Sequence, residues 1–134
     1  MSRHLLILGV LLSSSLAMAQ STRISSVTVG YDSVGIGVCA VSLAVASSSA
    51  ETVYVGMTAR KADGAEYDFP AQDVRPSVDG TQVNFSAIIG LGYSEYVISV
   101  WSRKVAPCNS SRPGCKKYGY LLDGQLASTG WTRM

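Results

Sequence analysis

A chain of 134 residues with eleven Lys and Arg, nine Asp and Glu, three cysteines and one histidine carries a formal charge of +2. That length suits one domain, and the near-neutral total excludes the strongly basic balance of a nucleic-acid binder. The single histidine, His4, lies in a segment read below as a leader, so Ser-His-Asp catalysis, Cys-His catalysis and His-based metal sites are excluded for the remainder.

The chain opens with Arg3 in a short polar start, an unbroken apolar run over Leu5–Leu12, and a stretch ending in Ala17-Met18-Ala19. This is the charged, apolar and small-x-small order of a secretory signal peptide. The run is far shorter than the ~20 residues a membrane-spanning helix needs, so no transmembrane segment is expected. Cleavage after Ala19 would leave residues 20–134 as one domain in the periplasm or outside the cell. Loss of Arg3 leaves ten bases against nine acids. They are unevenly placed: Glu51–Glu95 holds seven acids and three bases, and Tyr96 to the end holds six bases and one acid.

Along the expected mature chain the signal is β. Arg23–Val29 alternates near its end, and Val34–Val45 is apolar on both faces, which suits a central strand. Thr52–Ala59 puts Val53, Val55, Met57 and Ala59 on one face. Pro70 and Pro76 flank a weak segment that belongs at a sheet edge. Thr81–Ile89 turns Val83, Phe85, Ala87 and Ile89 inward, and Ser94–Lys104 aligns Tyr96, Ile98 and Val100. Tyr118–Leu122 and Gln125–Thr129 read as a last pair of strands. Asp63-Gly64, Asp79-Gly80 and Asp123-Gly124 mark hairpin turns, because both central residues of that turn need φ > 0. No helical period is sustained. The expectation is an all-β sandwich of about seven to nine antiparallel strands.

Val83–Ile89 followed by Leu91-Gly92-Tyr93-Ser94-Glu95-Tyr96 and Val97–Val100 resembles the E strand, corner and F strand of fibronectin type III and related immunoglobulin-like domains. The resemblance implies that Leu91 begins the corner and that the Tyr96 hydroxyl bonds back to the backbone. It implies a fold, and such domains are mostly binding or adhesion modules.

An oxidising compartment favours pairing of the cysteines. Cys108 and Cys115 flank a run of turn formers, Asn109–Gly114. A bridge closing so short a loop stabilises by about 2.5 kcal/mol on the chain-entropy model. Cys39 is then left over in an apolar run, either as a buried thiol or as the donor of an intermolecular bridge. No glycine-rich phosphate loop precedes a helix, so no cofactor is expected. Asp63, Glu66, Asp68 and Asp73 lie close in sequence. Clustered acids serve glycoside hydrolysis or Ca²⁺ binding, but they equally make a solvated hairpin, and neither catalysis nor a metal is expected.

The distinctive feature is basic. Arg103, Lys104, Arg112, Lys116 and Lys117 span a segment with no acid, and Tyr118 and Tyr120 follow at i and i+2, on one face of a strand. A loop closed by disulfide loses less entropy on binding. These seven residues are the candidate binding site of a non-catalytic module, with an acidic protein, an anionic glycan or an envelope surface as partner. Two alternatives remain: a self-associating subunit of a surface assembly, through edge strands and Cys39, or an inhibitor of a secreted hydrolase that presents Arg112.

Overall fold

A computed structural model of the chain describes residues 21–108 and 118–134. They form nine β-strands: β1 Thr22–Tyr31, β2 Val38–Ser47, β3 Val53–Lys61, β4 Glu66–Asp68, β5 Gln72–Val74, β6 Thr81–Ile88, β7 Tyr93–Pro107, β8 Tyr120–Ser128 and β9 Thr132–Arg133. One sheet has the order β1-β2-β6. The other runs β4-β3-β7-β8, with β5 also on β3 and β9 also on β7. All strand pairs are antiparallel, and one isolated parallel bridge joins Ala46 of β2 to Ser77 in the link between β5 and β6.

Alternation sets the core, because a strand sends every second side chain to the same face. Cys39, Val41, Leu43 and Val45 of β2 and Val83 and Phe85 of β6 point inward from the smaller sheet. Val53, Val55, Met57 and Ala59 of β3 meet them, with Tyr96, Ile98 and Val100 of β7. Phe69 joins them from the link between β4 and β5, edge-on to Tyr67 at 5.1 Å and to Phe85 at 5.7 Å. Such offset ring pairs add about 0.5–1.5 kcal/mol beyond burial. Among the described residues no helix is long and apolar enough to cross a membrane.

The prolines fall as expected: β5 sits between Pro70 and Pro76 at the edge of β3. Other expectations need correction. The strand after residue 34 begins only at Val38, and Val34 and Ile36 are 93% and 62% exposed. Asp32 is the cause, since its Oδ1 accepts the amides of Val34 and Gly35 and holds a turn there. Only the Asp63-Gly64 turn closes a hairpin, between β3 and β4. Asp79-Gly80 belongs to a turn in which Gly80 donates to Ser77, and it leads from one sheet into the other.

Asp123-Gly124 lies inside β8, so the expected last pair is one strand along β7. Gly124 takes φ 70° between the in-register pairs Arg103–Asp123 and Trp101–Gln125, and a Cβ there would run into Ser102 Oγ; the nearby register shift falls between Gln125 and Ala127. The fifteen-residue β7 offers a longer partner than a two-residue hairpin could. Tyr96 is core, 6% exposed, and it does not make the corner bond. The corner between β6 and β7 is held instead by Tyr31, whose hydroxyl donates to the Gly90 carbonyl and accepts from the Tyr93 amide.

Candidate functional site

The outer face of the larger sheet carries the side chains that alternation turns away from the core. On β3 these are Tyr54, Gly56, Thr58 and Arg60; on β7 they are Glu95, Val97, Ser99 and Trp101, directly across in register. Asp68 and Glu66 of β4 pair with Thr58 and Arg60, and Gln125 of β8 pairs with Trp101. Gly56, Thr58, Val97 and Ser99 are small, so the face dips between larger neighbours. The result is a groove of about 540 Å³ lined by Thr58, Glu66, Asp68, Ser99, Trp101, Tyr118, Gln125 and Trp131.

Tyr118 forms one wall. Its ring lies on Gly56, where a Cβ would stand 3.3 Å from three ring atoms, and the residue is 7% exposed. Thr58 Oγ1 donates to Asp68 Oδ1 at 2.6 Å. A threonine hydroxyl has one hydrogen, so in the 2.7 Å contact between Thr58 and Tyr118 the tyrosine is the donor. The Tyr118 carbonyl accepts the Ala71 amide at 2.9 Å. Burial pushes the Tyr118 phenol above its ordinary range, and the charges of Asp68 and Glu66 add to the rise. Both carboxylates therefore act on the same wall of the groove.

Trp131 forms the other wall. Thr129 donates its amide to Ile98 O and accepts the Ile98 amide on Oγ1, and β9 pairs with Glu95 and Tyr96. The chain between them arches at Gly130 and carries the indole over β3. Arg60 lies 3.7 Å above the ring centroid and bonds Glu95 Oε1 at 3.1 Å. A guanidinium on an indole face is attractive, and it pins Trp131 while leaving the residue 39% exposed. Trp101 closes the far end. Its Nε1 is buried with no hydrogen-bond partner among the described residues, a cost of about 1–3 kcal/mol.

Of the described residues expected to bind, Tyr118 lines this groove and Arg103, Lys104 and Tyr120 do not. Arg112, Lys116, Lys117 and Cys115 lie outside the described residues. Arg103 forms an ion pair with Asp123, the residue facing it on β8. Lys104 sits 3.7 Å from Asp73 Oδ2 and 4.2 Å above the Tyr120 ring. The described part of the basic segment is thus matched by carboxylates that are distant in sequence. Tyr118 and Tyr120 do not share a strand face: Tyr118 precedes β8 and is buried, whereas Tyr120 begins β8 at the surface. Lys104 and Tyr120 are the candidates brought together.

Of the four acids, Glu66 and Asp68 reach the groove, Asp63 accepts the Ala65 amide in its own turn, and Asp73 faces Lys104. No metal-holding group of three or more His, Cys, Asp or Glu side chains occurs among the described residues. Sequence reasoning missed Trp101, Trp131, Thr58 and Gln125. For Thr58 and Trp101 the available signal was the outward row of strands whose inward rows were read correctly; Gln125 and Trp131 gave none. Comparison of the chain with protein-family models, with curated proteins and with solved structures finds no match.

Proposed function

We propose that this protein is an exported, non-catalytic binding module on an immunoglobulin-like, fibronectin type III-like sandwich, and that it takes its ligand in the groove between Tyr118 and Trp131. The strand order supports the fold reading. In such sandwiches the first, second and fifth principal strands share one sheet and the third, sixth and seventh the other. Here β1, β2 and β6 lie together, and β3, β7 and β8 lie together. Export rests on the leader-like residues 1–19, and the site then faces the periplasm or the outside.

The observation that carries the binding reading is the groove itself: a concave site with rigid aromatic walls and a few convergent polar groups. The placement of the carboxylates supports a non-catalytic role over glycoside hydrolysis. Glu66 and Asp68 stand two apart on one short strand, along one side of the groove. Glycoside hydrolysis needs a carboxyl group on each side of the bond broken.

The test is retention of envelope material by the immobilised full-length processed protein. Glu66→Gln and Trp131→Phe should lose the retained component, with unchanged circular dichroism. The paired Lys116→Glu and Lys117→Glu change should retain it. Undiminished retention by both groove variants, with loss in the charge-reversed variant, would return the site to the basic segment.

A further inference from the structure

We propose that the groove binds a neutral, hydroxyl-rich ligand, one or two pyranose rings of a glycan, with Trp131 as the stacking surface and Glu66 and Asp68 as hydroxyl acceptors. This rests on the binding role of the groove and assigns its ligand class.

Charge decides against the alternatives. Glu66 and Asp68 have no Lys or Arg within 4.0 Å among the described residues, where the ion pairs are Arg60–Glu95, Arg103–Asp123 and Lys104–Asp73. An anionic ligand would meet two carboxylates that no cation of the described residues pairs. A cationic ligand would seek an aromatic face, as quaternary ammonium groups do. Arg60 already occupies a face of Trp131 at 3.7 Å and would repel it. The carboxylates therefore disfavour an anion, and Arg60 on the indole disfavours a cation that needs that face.

Hydrogen-bonding chemistry selects among neutral ligands. Glu66 and Asp68 only accept, whereas the Gln125 amide both donates and accepts. A ligand satisfying all three must carry donors and acceptors on the same small frame, which describes vicinal hydroxyls. Asp68 keeps acceptor capacity beside its bond from Thr58, because an ionised carboxylate has about four lone-pair sites. The remaining wall is an indole, whose flat surface suits the C–H face of a sugar ring. Because Glu95 holds Arg60 and Arg60 holds Trp131, that surface is in place before the ligand arrives and little ordering entropy is lost. The volume of about 540 Å³ lies within the ~300–1,000 Å³ of small-molecule sites.

Both tryptophans of the chain, Trp101 and Trp131, line this groove, so intrinsic fluorescence reports occupancy directly. The full-length processed protein is titrated with cellobiose, maltose and N,N′-diacetylchitobiose, and in parallel with digalacturonate and tetramethylammonium. The expected result is a saturable change with at least one neutral disaccharide. The affinity should fall about tenfold in Trp131→Ala, the order of a lost binding anchor, and severalfold in Glu66→Gln. Glu66 is exposed, so that variant keeps the test valid if Trp131→Ala fails to fold.

Saturation by tetramethylammonium or digalacturonate alone would overturn the ligand class and leave the groove standing. Silence of every probe, with envelope retention still lost in the groove variants, also overturns the ligand class alone. Envelope retention unaffected by those variants overturns the groove reading beneath it.

Discussion

The Tyr31 hydroxyl donates to the Gly90 carbonyl at 2.7 Å, joining the last residue of β1 to a corner fifty-nine residues away. The same oxygen accepts the Tyr93 amide at 3.2 Å. A strand of one sheet thus fixes the chain as it crosses from β6 to β7, where the resemblance placed a bond from Tyr96. Removing the Tyr31 hydroxyl leaves a carbonyl and an amide without partner, and each net hydrogen bond contributes about 1 kcal/mol.

Tyr31→Phe should therefore lower unfolding free energy by about 1–2 kcal/mol. Tyr96→Phe, which keeps the buried ring, should change it by less than about 0.5 kcal/mol. Urea unfolding of both variants checks this. A larger loss in Tyr96→Phe than in Tyr31→Phe would reinstate the corner bond at Tyr96.

Cys39 is fully buried on β2, and burial pushes its thiol above the ordinary range. Thiolate is the reactive form, so this cysteine should stay silent to a thiol reagent in the native protein. After denaturation without reductant one thiol should react, and peptide mapping should recover a Cys108–Cys115 bridge. Rapid reaction of the native protein would contradict the burial of Cys39. Three reactive thiols after denaturation would contradict the bridge.

The fold was more legible in the sequence than the site. Strands buried on one face announce themselves, because Val53, Val55, Met57 and Ala59 must alternate to reach the core. The edge position of β5 followed from Pro70 and Pro76. What misled was turn chemistry: Asp123-Gly124 suits a hairpin, yet it runs on inside β8 in register with the fifteen-residue β7. The site depended on residues that meet through sheet register, such as Thr58 with Asp68 and Tyr118. The basic segment stood out because its charges are consecutive, while Asp73 and Asp123, which face two of them, are remote in sequence.

Tyr118 gives the pH dependence its sign. Its phenol titrates above the ordinary value of about 10, so the native state holds the proton more tightly than the unfolded chain. Below that pH both states are protonated and the stabilisation is present in full. As pH rises through the unfolded value toward the native one, the unfolded chain releases its proton first and stability falls. Tyr93 and Cys39 are also pushed up by burial and contribute with the same sign, so the wild-type slope alone assigns nothing to Tyr118. The comparison with Tyr118→Phe does. That variant keeps the ring on Gly56 and loses the bond to Thr58, which still donates to Asp68. Near pH 7 it should be less stable by about 1 kcal/mol. Above about pH 10 the gap should narrow, because the variant has no buried phenol to ionise. Urea midpoints of the two proteins across this range make the measurement. Curves that stay parallel as pH rises above about 10 would show that Tyr118 ionises as freely in the folded protein as in the unfolded chain, and the buried wall of the groove would then be wrongly placed.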